Sequence, residues 1–254
     1  MGLGVFLSLL YSHTTLSQIS PPALGETNTA SWIALGLRHR LDTLTEGGWQ
    51  SMSYVGLGRK SNPDNHNPVY KPGIFILSQE FEHQLRNHWK YALGMSYRNQ
   101  KEYEEQSPYQ MLQTRQELRI QGRLAYTYTF PYSRLKLSPQ IRQDLRRFFS
   151  SASFNKEEVF QARTRMRLQL TLALDKEKVH QLSANSEQLF SSSKYNSQKA
   201  FSDFKYKESR FCFYYSLSPK KMPVTFDVGY MNNLVGITDR YSGHYFAMDV
   251  IVRR

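Results

Sequence analysis

The chain has 254 residues and carries 33 lysines and arginines against 21 aspartates and glutamates, a formal net charge of +12 that favours an anionic partner. A single cysteine, Cys212, excludes an internal disulfide and a cysteine-based metal site. Mean hydropathy is −0.58, and past the first dozen residues no apolar run approaches the ~18 residues of a membrane helix. A helical membrane protein is therefore excluded. A membrane β-barrel is not, because only alternate residues of its strands are apolar.

The chain begins with a short apolar segment, Leu3–Tyr11, which is followed by polar residues with small ones at Thr15 and Ser17. This pattern predicts a secretory signal peptide over residues 1–17, cleaved after Ser17. No Leu-x-x-Cys box is present, so no lipid anchor is expected. We predict export, an N-terminal segment over residues 18–30 that could supply a short first strand, and a barrel domain over residues 31–254.

Apolar and polar residues then alternate along most of the chain, which is the two-residue period of β-strands. In one segment Leu168 and Leu170 alternate with Arg165 and Arg167, and a helix would scatter these two sets around its circumference. In chain order the predicted strands are Ser31–Leu41, Trp49–Arg59, Gly73–Leu85, Trp89–Arg98, Gln116–Phe130, Arg134–Phe148, Phe160–Leu174, Val179–Phe190, Arg210–Leu217, Val224–Asn232 and His244–Arg253.

The connections alternate in length. Arg86–His88, Pro131–Ser133, Asp175–Lys178 and Pro219–Pro223 are short, whereas Lys60–Pro72, Asn99–Gln113, Phe149–Glu157, Ser191–Asp203 and Asn233–Gly243 are long and polar. A half-buried strand of a soluble sandwich shows the same alternation of residues. However, several strands run about 11 to 16 residues, longer than most soluble strands, and aromatic residues recur at the ends of their apolar faces, where interfacial girdles belong.

We therefore predict an all-β fold, an antiparallel up-and-down transmembrane β-barrel of a Gram-negative outer membrane, contacting lipid and lipopolysaccharide. Eleven strand candidates conflict with the even strand number of bacterial barrels. Twelve strands result if Leu24–Ala30 adds a first one, although Pro21 and Pro22 argue against a regular strand before it. Ten strands are the fallback.

The strand pattern resembles a Gram-negative family known as domain of unknown function 2490, a predicted outer-membrane barrel. The similar pieces are SWIALGLRHRLD, WKYALGMSYR, RQELRIQGRLAYTYTFPYSRLKLSPQIRQDLRR, YYSLSPKKMPVTFDVGY and HYFAMDVIVRR. The chain departs from the common barrel signal by ending in Val252, Arg253 and Arg254 rather than in an aromatic residue. The resemblance implies fold and location, and it implies no reaction or ligand.

If the apolar faces meet lipid, the opposite faces line the lumen with an excess of positive charge. Basic rings favour anions in a pore, and the arginine fork suits carboxylates and phosphates. We predict a narrow, anion-preferring channel for small anionic solutes, with the path along Arg119, Arg123, Arg142, Arg146, Arg163, Arg165, Arg167 and Arg210. The alternative is a structural or partner-binding barrel in which arginine–carboxylate pairs plug the lumen.

Other functions have less support. An outer-membrane hydrolase would pair a serine with a histidine, but His39, His83, His180 and His244 fall on the lipid-facing register outside any recognisable motif. We predict that the chain is not an enzyme and has no catalytic, cofactor-binding or metal site. No nucleic acid partner is predicted either, because the positive charge is spread along strands rather than clustered into a patch.

Overall fold

The computed structural model describes residues 21–42, 48–85, 88–104, 106–131, 133–150, 158–236 and 241–254. The signal peptide predicted over residues 1–17 lies outside these ranges. The strands are β1 (Thr29–Arg40), β2 (Trp49–Lys60), β3 (Lys71–Gln84), β4 (Trp89–Tyr103), β5 (Met111–Tyr126), β6 (Tyr128–Thr129), β7 (Leu135–Ser150), β8 (Glu158–Ala173), β9 (His180–Tyr195), β10 (Lys205–Leu217), β11 (Val224–Val235) and β12 (Tyr241–Arg253). The described part of the chain contains no helix long and apolar enough to cross a membrane.

These strands form one closed sheet. Each barrel strand pairs antiparallel with the next, β5 pairs with β7, and β1 pairs with β12. The short β6 follows directly after β5 and pairs with β7, with Tyr128 opposite Leu137. The wall is therefore an eleven-stranded barrel, and β6 brings the sheet to twelve strands. The predicted all-β, antiparallel up-and-down barrel with twelve strands is confirmed, with one parallel pair of strands.

The seam of the barrel is a parallel pair. β1 runs alongside β12 in the same direction, from Thr29 opposite His244 to Arg38 opposite Arg253. This pairing closes the barrel with an odd number of wall strands. The prediction of twelve strands, in contrast, depended on an additional strand at Leu24–Ala30. Residues 21–28 form no strand, and Gly25 has a φ of +77°, which an extended strand does not contain. The chain enters the sheet only at Thr29.

Strands on either side of the predicted long loops reach further than the apolar pattern indicated. β4 continues to Tyr103 and β5 starts at Met111, and Glu102 pairs with Gln113, both inside the predicted loop 99–113. β9 similarly continues to Tyr195. Residues 99–102 of β4 and 191–194 of β9 are polar on both faces, so the alternation stops although the backbone ladder continues. We call this end of the barrel, which also holds Thr29, the loop end, and the opposite end, which holds Arg254, the turn end.

Burial alternates along the strands as predicted. On β8, for example, the outward Leu168 is 51% exposed, whereas the side chain of the inward Arg167 is 12% exposed. The histidines predicted to face outward on β9 and β12 do so, and each ring contacts a tyrosine of the neighbouring strand, His180 with Tyr215 and His244 with Tyr230. The inward faces therefore form the interior of the barrel.

The β8–β9 connection at the turn end is held by one carboxylate. Asp175 accepts hydrogen bonds from the backbone N–H groups of His180 at 2.8 Å and Val179 at 3.0 Å. These bonds, the one from His180 first, hold the pKa of Asp175 below its ordinary value, because they favour the charged carboxylate. The turn therefore fixes the register of the two strands that carry much of the interior charge.

Candidate functional site

The interior holds a network of arginines and carboxylates on the inward faces of β3, β4, β5, β7, β8, β9 and β10. The register places several arginines directly opposite one another, such as Arg119 opposite Arg146 and Arg142 opposite Arg165. Like charges at such short separation repel. The arrangement is therefore stable only with carboxylates between the guanidinium groups.

Glu117 on β5 is the centre of this network. Its carboxylate accepts hydrogen bonds from Arg119 at 2.7 Å and Arg146 at 2.5 Å, and from Arg98 at 3.2 Å. Only 5% of the Glu117 side chain is exposed. Charge-assisted hydrogen bonds of this length are among the strongest in proteins, so one carboxylate joins β4, β5 and β7 across the interior.

Two more sets of tight pairs flank Glu117. Arg142 donates to Asp144 at 2.6 Å, and Asp144 is fully buried. Towards the turn end, Arg123 contacts both Glu80 at 2.5 Å and Glu82 at 2.8 Å. The inward arginines of β5 and β7 are therefore each held by a carboxylate at hydrogen-bonding distance.

The arginines of β8 are held more loosely. The closest carboxylate oxygen lies 3.5 Å from each of them, on Glu208 for Arg163 and on Glu187 for Arg165 and Arg167. Arg210 of β10, in contrast, donates to Glu208 at 2.7 Å. Together, ten cations share six carboxylates: Arg98, Arg119, Arg123, Arg142, Arg146, Arg163, Arg165, Arg167, Arg210 and Lys90 with Glu80, Glu82, Glu117, Asp144, Glu187 and Glu208.

The other half of the interior contains a cluster of buried apolar side chains. Trp32 lies over Gly56, where a Cβ would come within 2.2 Å of the indole ring, and Tyr214 lies equally close over Gly229. Both side chains are essentially inaccessible to water. The indole Nε1 of Trp32 donates to Asp249 at 3.1 Å. These glycines are required because the large rings lie flat against the barrel wall.

The segment before β1 occupies the loop end of the lumen. Lys60 donates to the carbonyl of Leu24 at 2.9 Å, and the Leu24 N–H donates to the Tyr245 hydroxyl at 3.0 Å. Deeper in the barrel, Arg210 donates to the carbonyl of Pro21 at 3.4 Å. The Leu24 side chain is buried in the apolar cluster with Tyr245. Residues 21–28 therefore follow the inner wall and narrow the lumen.

The structure brings the predicted site residues together. All eight predicted arginines have a carboxylate as neighbour, at closest distances between 2.5 and 3.5 Å. Their role as an anion path stays a prediction, as do the absences of catalytic, cofactor and metal sites. Sequence reasoning missed Trp32 and Tyr214 as fillers of the lumen, although glycines at inward positions of neighbouring strands were a usable signal. It also missed the path of residues 21–28, for which the sequence offers no signal.

Comparisons with known proteins bear on identity and not on activity. Searches of curated proteins and of solved structures each returned no match. A family model described as "Protein of unknown function (DUF2490)" matches residues 30–241, which include nearly the whole barrel from β1 to β11. This chain therefore belongs to the family of proteins of unknown function DUF2490, in agreement with the resemblance of its strand pattern.

Proposed function

We propose that this protein is an exported outer-membrane β-barrel whose lumen is closed at rest. Of the two functions considered from the sequence, the geometry favours the barrel plugged by ion pairs over the open anion channel. The observation that carries the proposal is that every predicted path arginine has a carboxylate neighbour within the lumen. Such a barrel acts as a scaffold in the membrane, in contact with lipid and lipopolysaccharide.

The outer surface supports the membrane location. Met95, Ile120 and Leu145 lie side by side on β4, β5 and β7, and each is between 57% and 61% exposed. Soluble monomers rarely expose contiguous apolar patches larger than a few hundred Å², whereas a membrane barrel needs an apolar band about 25 Å tall. The aromatic cluster of Trp49, His83 and Tyr91 at the turn end fits an interfacial girdle.

The filled interior supports closure. The side chains of Arg98, Arg119 and Arg146 around Glu117 are only 6% to 8% exposed, so these guanidinium groups have little contact with water. Trp32, Tyr214 and Leu24 fill the opposite side. Both sets of side chains are buried, so they leave little accessible surface for a continuous water-filled path.

Anion passage is the second candidate, and the surplus of cations in the network favours it. Ten cations against six carboxylates leave positive charge that mobile anions could neutralise. An eleven-stranded wall lies between the side-chain-filled eight-stranded barrels and the open sixteen-stranded porins, so its size is compatible with either function.

Planar-bilayer conductance of the refolded protein distinguishes the two candidates. We expect the unmodified barrel to show no steady conductance, and the triple variant Arg163→Gln, Arg165→Gln, Arg167→Gln to conduct, because it removes contacts that hold β8 to Glu187 and Glu208. Steady anion-selective currents from the unmodified barrel would contradict the closed barrel. If the triple variant lowered or inverted that selectivity, the anion channel would be the supported function.

Cysteine labelling tests the orientation in the membrane. The exposed loop positions Gln106 and Lys199, changed to cysteine, should react with a membrane-impermeant maleimide added to intact cells, because long loops face outward in bacterial barrels. Glu177→Cys in the β8–β9 turn should react only after the outer membrane is permeabilised. The native Cys212 is buried and serves as the unlabelled background. Labelling of Glu177→Cys alone in intact cells would reverse the proposed orientation.

A further inference from the structure

We infer that the inward face of β8, together with its neighbour β9, binds a small oxyanion of the phosphate or carboxylate class inside the lumen. The inference goes beyond the closed barrel, since it requires a bound anion and no passage across the membrane. It rests on three features of this face: surplus charge, polar atoms without hydrogen bonds, and access to water.

The surplus positive charge lies on β8. Glu117 and one oxygen of Asp144 accept hydrogen bonds of 2.5 to 2.8 Å from arginines of β5 and β7. Arg163, Arg165 and Arg167 have no carboxylate oxygen closer than 3.5 Å. Arg165 also lies 3.8 Å from the second oxygen of Asp144. Arg210 contacts both Glu187 and Glu208 as well. An enclosed cation without its own counter-charge is unfavourable, so a further anion beside β8 would stabilise the barrel.

Polar atoms on the same face have no hydrogen-bond partner among the described residues. They include the Nε atoms of Arg163, Arg165 and Arg167, and the Nη2 atom of Arg167. On β9, the two amide atoms of Asn185 and the hydroxyl of Ser191 likewise have no hydrogen-bond partner, although these side chains are at least nine-tenths buried. Buried polar groups are almost always satisfied in native proteins, which indicates that a ligand or water belongs at this place.

The register places one of these polar side chains near each end of the arginine row. Ser191 lies directly opposite Arg163, and Asn185 lies one inward position from Glu187, which is opposite Arg167. The guanidinium, amide and hydroxyl groups are all donors, and donors with surplus positive charge select an oxyanion. The amide carbonyl of Asn185 can accept the proton of a singly protonated phosphate.

The β8 face is also more accessible than the cluster around Glu117. Its three arginine side chains are 11% to 13% exposed although they face inward, against 5% to 8% for Glu117 and its partners. The exposed surface of these three arginines therefore faces the lumen. A small anion can reach β8 without disturbing the pairs around Glu117.

Isothermal titration calorimetry of the refolded barrel in detergent tests the inference, with inorganic phosphate and acetate in separate titrations at constant ionic strength. We expect saturable binding of at least one of the two. Arg167→Gln should weaken it at least about tenfold, because it removes a charge-assisted hydrogen bond to the anion. The affinity of Arg167→Lys should lie between those of the wild type and Arg167→Gln, because lysine keeps the charge but lacks the planar fork of arginine.

The matched control is Arg134→Gln. Arg134 is exposed and donates to the carbonyl of Leu174 at the turn end, so its loss should leave the affinity unchanged. Circular dichroism and heat-modifiable mobility on gel electrophoresis verify that each variant is folded before titration. Absence of saturable heat with both anions, or equal affinity in the wild type and Arg167→Gln, would overturn the inference. Neither result would bear on bilayer conductance, so the closed barrel is judged separately.

Discussion

Replacing Glu117 by glutamine will lower the free energy of unfolding by about 3–5 kcal/mol, the range for a buried ion pair that loses one partner. The carboxylate neutralises Arg98, Arg119 and Arg146 together, so its removal leaves three enclosed guanidinium groups to repel one another. Urea-induced unfolding in detergent, followed by tryptophan fluorescence, measures the change as a shift of the midpoint at constant m-value.

Glu177→Gln is the matched control for this substitution. Glu177 pairs with Lys220 at 2.8 Å, but both side chains are about 60% exposed, and exposed pairs contribute about 0–1 kcal/mol. Adding Arg146→Gln to Glu117→Gln should recover part of the loss, because it removes one of the uncompensated charges. Equal small shifts for Glu117→Gln and Glu177→Gln would show that Glu117 does not hold the interior together.

Leu168→Arg on the outer face of β8 will destabilise the barrel in lipid vesicles by about 2–4 kcal/mol, as expected for arginine near the middle of a bilayer. Leu168 points outward between Pro139 and Ser186 of the neighbouring strands and makes no part of the interior network. The same measurement on Leu174→Arg should give about 0–1 kcal/mol, because Leu174 follows the end of β8 and would lie at the interface.

The contrast between these two leucines tests whether the barrel lies in a membrane. In a barrel that stays in water, both arginines would be solvated, and neither substitution would change stability appreciably. A large effect at Leu168 with a small one at Leu174 therefore requires a hydrocarbon layer around the barrel. Two equal and small effects would contradict the proposed location, whatever the conductance experiments show.

The facing of the strands could be predicted from the sequence because the two sides of the wall differ sharply in chemistry. On β8, Leu168 and Arg167 sit next to each other in the chain and have opposite environments, so alternation alone assigns them. The same rule failed at Gln100 and Arg115, which continue the β4–β5 ladder with polar residues on both faces. Hydrogen bonding of the backbone leaves no trace in hydropathy where both sides of a strand are polar.

The closure of the barrel and the pairing of its interior charges could not be predicted from the sequence, for another reason. Alternation along β5 assigns Glu117 to the inward face, but its pairing with Arg98 and Arg146 depends on the register between three strands. The pairing of β1 with β12 depends on contacts between residues more than two hundred positions apart, such as Thr29 and His244. The position of Leu24 inside the lumen follows from that closure, and alternation within single strands contains no information about it.

The parallel seam also determines how the chain could be reconnected. In a barrel with an even number of strands, the first and last strands are antiparallel, their free ends meet at one rim, and a short loop can join the old termini. Here Thr29 lies at the loop end and Arg253 at the turn end, about 30 Å apart at the rise of an extended strand. A connection from Arg253 back to Thr29 would therefore have to span the height of the wall, about ten extended residues, through lipid or through the lumen. A short loop at one rim could not make it.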